Sequence, residues 1–255
     1  VSWARDVYKR QDISFTAEPG QIIGVTGPVA SGKSTFGRTF LCEYPYEGSI
    51  RYNGCELRNA ADNVRSGIIS YLGHDPELFN DSVRNNVLLG DDYDVFEYLR
   101  VVCMDKEVEA MEQGADTIIG SEGIRLSGGQ AQRIALARTL CHKKLVLVLD
   151  DPFSALDRNT EEQIYKKLKD MASDNIVILI SHRLYMFPKM DKVIWMDAGK
   201  ANVGTHKELM LECPGYRKMY ETVSVEECRT VETENEGLAA AKVVENSRRV
   251  VDKHE

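Results

Sequence analysis

The chain has 255 residues, of which 43 % are hydrophobic and 28 % are charged, and its formal net charge is −8. A chain of this length can bury a large core, either as one domain or as one domain with a small helical lobe. The net negative charge argues against nucleic acid or an anionic lipid surface as the main partner. The six cysteines include no Cys-x-x-Cys pair, which argues against a zinc site or a disulfide framework.

The first third of the chain predicts strands around a glycine-rich loop. Short apolar runs at Ile13–Ala17 and Gln21–Thr26 lie on either side of the turn signal Pro19-Gly20, so both runs are predicted to be strands. A helix is predicted over Ser34–Leu41, directly after the glycines, and another strand over Gly67–Leu72.

The middle of the chain predicts helices, followed by buried strands. Residues 81–141 show helical spacing without strand alternation and are interpreted as a helical lobe inserted into the core. The runs Leu145–Leu149 and Ile176–Ile180 are nearly all apolar, which is typical of parallel strands buried on both faces. Residues Thr160–Met171 between them predict a crossover helix. The longest apolar run is far below the roughly 18 residues that a membrane span needs.

The end of the chain predicts a hairpin and a tail. Val193–Met196 and the turn at residues 197–200 indicate a final hairpin. The sequence beyond about residue 220 is polar and lacks a strong apolar face, so residues 1–220 are predicted to form the domain and residues 221–255 a tail that is disordered or weakly helical.

One motif predicts a phosphate site. The stretch Gly27-Pro28-Val29-Ala30-Ser31-Gly32-Lys33-Ser34, followed by Thr35, matches G-x-x-x-x-G-K-[ST] between a predicted strand and a predicted helix. Glycines allow the backbone N–H groups to converge on phosphate oxygens, and the helix that follows adds the positive end of its dipole. Lys33 can then reach the terminal phosphates, and the Ser34 hydroxyl can bind Mg²⁺. The alternative is a glycine-rich turn that precedes Lys-Ser by chance.

A carboxylate at the end of a buried strand completes the expected magnesium site. Asp150 ends the apolar run that begins at Leu145. Taken alone, it could equally cap the helix that follows. With the phosphate-binding loop upstream, the role of a Mg²⁺ ligand is favoured, because that loop needs a second contact to the metal.

A second anion site is predicted at Leu126-Ser127-Gly128-Gly129-Gln130, about twenty residues before Asp150. A Ser-Gly-Gly turn that opens a helix offers exposed N–H groups, a hydroxyl and a helix dipole. Because the chain has two such helix starts and one lysine-containing loop, we infer that the second start serves the nucleotide of another chain.

Together these motifs resemble the nucleotide-binding domain of ATP-binding cassette transporters over about residues 12–220. The resemblance rests on GPVASGKS, LSGGQ, LVLVLDD, SALD (Ser154–Asp157) and the pair Ser181-His182. It implies an α/β fold: a P-loop NTPase core with a mainly parallel sheet, an antiparallel β subdomain and an inserted α-helical subdomain over about residues 81–141. It also implies an ATPase that binds ATP and Mg²⁺.

The resemblance further implies how two such domains cooperate. LSGGQ would face the ATP held by a second nucleotide-binding domain in a head-to-tail homo- or heterodimer, and the loop around Asp157 would communicate across it. His182 would contact the γ-phosphate, and Asp151 would act on the attacking water. The sequences VGTHKELM and IALARTL are similar to the exporter subclass, in which this domain works with a transmembrane domain at the cytoplasmic face of the cell membrane.

Two residues depart from the family pattern. The family usually has Glu where this chain has Asp151, and Gln, touching Mg²⁺ and the water, where it has His74. The side chain of Asp is shorter than that of Glu, so its carboxylate lies about 1 Å further from the attacking water, which can reduce the rate of hydrolysis on the order of 10²-fold. At the second position, a charged imidazole would be repelled by Mg²⁺. Either change alone could be neutral variation; together they favour a weakened hydrolytic site.

Other questions stay open at this stage. The aromatic residue that stacks on adenine would be Trp3 or Tyr8, and the sequence does not decide between them. The alternatives to an exporter are the ATPase subunit of an importer, and a non-transport cassette protein that acts as a binding switch. The exporter-like C-terminal segment argues against the first alternative, and the single cassette with its negative charge argues against the second.

Overall fold

The computed structural model describes residues 12–120 and 123–223. Its strands are β1 Ile22–Thr26, β2 Arg51–Tyr52, β3 Cys55–Glu56, β4 Ile69–Leu72, β5 Asp81–Ser82, β6 Ile118–Ile119, β7 Val146–Asp150, β8 Ile176–Ile180, β9 Lys192–Asp197 and β10 Lys200–Gly204. Its helices are α1 Lys33–Thr39, α2 Asp62–Ile68, α3 Val83–Leu88, α4 Val95–Val101, α5 Asp105–Glu109, α6 Gly128–Cys141, α7 Arg158–Met171 and α8 His206–Glu212. Residues 214–223 are also helical.

In the described residues, a six-stranded sheet forms the centre of the fold, in the order β10-β9-β1-β8-β7-β4. All neighbouring strands in it run parallel except the hairpin of β9 and β10. Strands β2 and β3, and strands β5 and β6, form two small antiparallel pairs. The predicted α/β fold with a mainly parallel sheet and antiparallel and helical additions is therefore confirmed.

Alternate residues of the buried strands face opposite sides of the sheet, as the two-residue repeat of a strand requires. Leu147 and Leu149 belong to a large core that also contains the buried faces of α3, α4, α6 and α7. Val146 and Val148 belong to a smaller core beneath α1. Both faces of β7 are buried, which explains why its sequence is nearly all apolar.

Several predicted elements differ from those in the structure. Residues Ile13–Ala17 form no strand, although Ile13, Phe15 and Ala17 pack against the smaller core. Their alternation therefore reports burial on one side, and within residues 12–120 and 123–223 they pair with no neighbouring strand. A strand is predicted over Gly67–Leu72, but the observed strand β4 begins two residues later, because α2 continues to Ile68.

The region between β4 and β7 contains the helices α3 to α6 together with the short strands β5 and β6; an inserted helical lobe over residues 81–141 stays a prediction. Helical structure continues to residue 223, three residues past the predicted end of the domain at residue 220; residues 224–255 lie outside the described part of the chain. Within the described ranges, every helix is too short or too polar to cross a bilayer.

Candidate nucleotide site

The carboxyl ends of four parallel strands bring most of the predicted site residues to one edge of the sheet. Strand β1 leads into the glycine loop, and β7 ends at Asp150. Strand β8 ends just before Ser181-His182, and β4 ends two residues before His74. In an open parallel sheet this edge is where ligands bind. The parallel register therefore explains why residues up to 155 positions apart in the chain meet.

The glycine loop folds into a tight cradle before α1. A side chain at Gly27 would collide with the main chain, because a Cβ placed there would lie 2.0 Å from the carbonyl oxygen of Met196. The loop is closed by a turn in which the Ser31 N–H donates to the Pro28 carbonyl at 3.2 Å. Gly32, with a φ of 96°, then turns the chain into α1, a conformation that glycine adopts without strain.

Lys33 lies over this loop with its ammonium group buried. Its Nζ donates to the carbonyl oxygens of Gly27 at 2.9 Å and Pro28 at 2.8 Å. Burial lowers the pKa of Lys33, and the nearby carboxylates of Asp150 and Asp151 act in the opposite direction. A cation held between a phosphate-binding loop and two carboxylates is placed to bind the terminal phosphates of a nucleotide.

Asp150 is buried at the tip of β7, with only 3 % of its surface exposed. The hydroxyl of Tyr71 on β4 donates to its Oδ2 at 3.2 Å, and burial raises the pKa of Tyr71 to about 12. Tyr71 therefore stays a neutral donor that orients the carboxylate. The sequence motifs did not identify Tyr71. The sequence predicts only that it lies in a strand, and the pairing of that strand with β7 is seen in the structure.

Asp151 adopts an unusual backbone conformation. Its φ is 52°, in the left-handed region that Asp tolerates better than most residues. Its N–H donates to the Ile180 carbonyl at 2.9 Å, which ties it to β8. Its carboxylate Oδ2 lies 3.8 Å from Nδ1 of His74. Burial raises the pKa of Asp151, while His182 and His74 act to lower it.

The two histidines at this edge differ in environment. Burial of the ring, followed by the charge of Lys33, lowers the pKa of His182, so its imidazole is neutral near pH 7. A neutral imidazole can donate a hydrogen bond to a phosphate oxygen without adding a charge. The side chain of His74 is 54 % exposed, and it approaches the site from the end of β4.

The predicted signature turn opens α6 and lies beside a different part of the chain. Ser127 and Gln130 form a reciprocal capping box at the start of the helix, and Gln130 Nε2 also donates to Glu107 at 2.9 Å. Ser127 and Gly128 are exposed. A Cβ at Gly129 would lie 2.7 Å from the carbonyl oxygen of Ala155, so the turn packs closely against the loop that follows Asp151.

Arg183, next to His182, is a further residue that the motifs did not single out. Its guanidinium donates to the buried carboxylate of Glu161 at 2.8 Å and to the Ser154 carbonyl at 3.1 Å. Burial raises the pKa of Glu161, which the charge of Arg183 opposes. Arg183 thus links the end of β8 to α7 and to the loop before it.

The residues present fit a magnesium nucleotide. Asp150 and Ser34 offer the hard oxygen ligands that Mg²⁺ prefers. The glycine loop has no space for a side chain at Gly27, so its main chain is what faces a bound phosphate. Among residues 12–120 and 123–223, no group of three or more His, Cys, Asp and Glu side chains is arranged to hold a metal alone. Trp3 and Tyr8, the candidates for stacking on adenine, lie outside the described residues.

The sequence of this chain is similar to those of known proteins. The sequence model described as ABC transporter matches residues 10–154. The chain is 36 % identical over 217 residues to a "Probable multidrug resistance ABC transporter ATP-binding/permease protein" of Bacillus subtilis, covering 83 % of this chain and 37 % of that protein. It is also 36 % identical over 217 residues to an ATP-dependent lipid A-core flippase of Pseudomonas syringae, covering 82 % and 36 %.

A solved structure agrees with the sequence comparisons. The fold matches a bacterial Atm1-family ABC exporter with ATP bound, with a TM-score of 0.80 and 30 % sequence identity. The match covers 88 % of this chain and 40 % of that one. The chain therefore spans little more than a third of the length of these relatives.

Proposed function

Because this chain belongs to the ABC transporter family, as a nucleotide-binding domain of the exporter type, we propose that it is the ATPase of a membrane exporter. The observation that carries the proposal is the meeting of Lys33, Asp150, Asp151 and His182 at one edge of the sheet. The family implies that the domain binds ATP. Hydrolysis by this chain is our proposal.

Each residue has a physical role in this proposal. The main chain of the glycine loop, with Lys33, would bind the phosphates, and Ser34 and Asp150 would hold Mg²⁺. The metal neutralises phosphate charge when it is bound. The carboxylate of Asp151 orients the attacking water, and the imidazole of His182 donates to the γ-phosphate. Catalysis is thus positioning and electrostatic stabilisation.

The proposed assembly is a head-to-tail pair of such domains. The exposed turn at Ser127 and Gly128, which opens a helix, is suited to bind the ATP held by the glycine loop of a second nucleotide-binding domain. The relatives are ATP-binding/permease proteins, so the pair would move an attached transmembrane domain as it closes and reopens. That arrangement puts the chain at the cytoplasmic face of a membrane.

The proposal is tested by Mg²⁺-dependent ATP hydrolysis with the purified chain. Wild type should bind and hydrolyse ATP; Lys33→Ala should lose hydrolysis and weaken binding, and Asp150→Asn should lose the hydrolysis that Mg²⁺ stimulates in wild type. A wild-type chain that fails to bind ATP, or a Lys33→Ala variant that hydrolyses it at the wild-type rate, would overturn the assignment.

The proposal that the chain is part of a membrane exporter can be tested separately, by sequencing the gene upstream of Val1. The relatives extend well beyond the length matched here. We expect the reading frame upstream of Val1 to encode six apolar spans that could each cross a bilayer. An upstream frame without such spans would contradict the exporter proposal and leave the ATPase proposal intact.

We further propose that hydrolysis in this site is slow. The shorter carboxylate of Asp151 and the imidazole of His74 stand where the family usually has Glu and Gln, and their side chains lie 3.8 Å apart. The imidazole beside the Asp151 carboxylate would hold that carboxylate away from the water. The chain would then bind ATP for a long time and hydrolyse it slowly, while its intact signature turn serves a partner.

A further inference from the structure

Gln132 is a buried polar residue that the predicted chemistry does not use. It lies on the first turn and a half of α6, two residues beyond the signature turn, and only 4 % of its surface is exposed. A glutamine at a buried helical position must find hydrogen-bond partners or pay a desolvation penalty.

The partners of Gln132 all lie in the segment that begins with Asp151. Its Nε2 donates to the carbonyl oxygen of Asp151 at 2.8 Å and to Ser154 Oγ at 3.0 Å. Its Oε1 accepts from the Ala155 N–H and from the Ser154 hydroxyl, both at 3.2 Å. The carbonyl can only accept and the N–H can only donate, so these two contacts fix the orientation of the amide.

These bonds complete the fixation of the Asp151 main chain. Its N–H donates to the Ile180 carbonyl at 2.9 Å, and its carbonyl accepts from Gln132 Nε2 at 2.8 Å and, more weakly, from the Ser154 N–H at 3.3 Å. A residue with a φ of 52° needs such support from its surroundings. The direction of the Asp151 carboxylate therefore depends on β8 on one side and on α6 on the other.

The same segment touches the signature turn directly. Gly129 packs so closely against the Ala155 carbonyl that a Cβ there would approach to 2.7 Å. A shift of the start of α6 towards this loop would therefore press on Ala155, and the hydrogen bonds of Gln132 connect the same helix to the carbonyl of Asp151.

We propose that Gln132 is a positioning residue that couples the signature turn to the Asp151 carboxylate of the same chain. This inference rests on the proposed function, in which the turn binds the partner's ATP and Asp151 acts on the chain's own. Occupancy of one nucleotide site then adjusts the geometry of the other through a single buried amide.

Two variants of Gln132 test the proposal. Gln132→Met keeps the size and removes all hydrogen bonds, and Gln132→Glu keeps the acceptor for Ala155 but removes the donor to Asp151. We expect both to lower the single-turnover rate on the order of 10-fold or more, with the ATP dissociation constant within about twofold of wild type. Gln163→Met, an exposed glutamine on α7, is the matched control and should hydrolyse ATP at the wild-type rate.

A double-mutant cycle separates positioning from a merely structural role. In an Asp151→Asn background the carboxylate that Gln132 positions is gone, so adding Gln132→Met should reduce the rate no further. Additive losses, a rate unchanged by either Gln132 variant, or a loss of ATP affinity parallel to the loss of rate would overturn the inference. A wild-type chain without hydrolysis, or an Asp151→Asn variant as fast as wild type, would instead contradict the proposed function.

Discussion

Asp151 is the residue at which a single methylene group decides the proposed chemistry. Its carboxylate is buried, its backbone is fixed at both ends, and burial raises its pKa. A fixed backbone leaves the length of the side chain as the main determinant of where the carboxylate meets a water. The proposed slow hydrolysis can therefore be tested by changing that length alone.

We expect Asp151→Glu to raise the single-turnover rate of ATP hydrolysis. The longer side chain advances the carboxylate by about 1 Å, and an error of that size can cost on the order of 10²-fold in rate. Rapid-quench measurement with the chain in excess over ATP gives the rate, and Asp151→Asn, which removes the charge, is the control that should be slower than wild type. If wild type is already fast and Glu brings no gain, the site is not weakened.

His74 provides a second residue-level prediction. Replacing it by Gln removes the contact between Nδ1 and the Asp151 carboxylate, 3.8 Å apart in the structure, and supplies a neutral amide. We expect His74→Gln to raise the rate severalfold, and by more in combination with Asp151→Glu than the two single gains predict, since neighbouring groups couple. His74→Ala removes the ring without supplying an amide and should give less. Equal rates for Ala and Gln would show that the amide contributes nothing.

The residues that the sequence identified are those whose chemistry lies in a contiguous motif. The glycine loop, Asp150 and the signature turn can each be recognised from a short run of consecutive residues. Tyr71, Gln132 and Arg183 do not, because their partners lie 79, 19 to 23, and 22 to 29 positions away. Only the register of the parallel strands and the packing of α6 bring these groups together.

At the scale of elements, the start of α7 shows how the loop after Asp151 ends. Asp157 is the N-cap residue, and its carboxylate accepts from the Thr160 N–H at 3.0 Å. The hydrogen bonds to Thr160 lower the pKa of Asp157. The cap fixes the point at which the loop becomes helix, so it also limits how far the loop can move.

We expect Asp157→Ala to lower the free energy of unfolding by about 1 kcal/mol, the usual cost of losing an N-cap. Asp157→Asn keeps an acceptor and should cost less. Because the folded-state pKa lies below the ordinary 3.8, the ionic stabilisation is complete above that value and is lost as the pH falls through the folded pKa. Urea unfolding at pH 7 and near pH 3 should show the gap between wild type and Ala narrowing at acidic pH; a gap that widens would contradict the assignment.

The sequence predicts a strand reliably when all its residues are apolar. It predicts a strand poorly when the only evidence is an alternation of apolar and polar residues. The strand Ile176–Ile180 was predicted with its observed bounds, because a run buried on both faces is apolar throughout. The segment Ile13–Ala17 alternates in the same way as a strand and packs on the smaller core, yet it pairs with no strand in the part of the chain that the structure describes. Alternation reports which side is buried, and it carries no information about a hydrogen-bonded neighbour.

At the scale of the whole molecule, the larger core joins the sheet to the helical region. It runs without a break from Leu147 and Leu149 on β7, through Leu136 on α6, to Val87 on α3 and Leu99 on α4. A helical region that shares its core with the sheet cannot open without exposing both. The helices between β4 and β7 should therefore unfold together with the sheet.

This continuity predicts the effect of a single cavity on the whole fold. Leu136 is completely buried on α6, whereas Leu211 on α8 is 77 % exposed, so the two form a matched pair of helical leucines. Leu136→Ala should lower the free energy of unfolding by about 2–5 kcal/mol, and Leu211→Ala should change it by less than about 0.5 kcal/mol. Urea unfolding followed by circular dichroism should show one transition for wild type and for both variants, shifted to lower urea only for Leu136→Ala. Two separated transitions in Leu136→Ala would mean that the helical region has a core of its own, and that displacements at the signature turn need not reach the sheet.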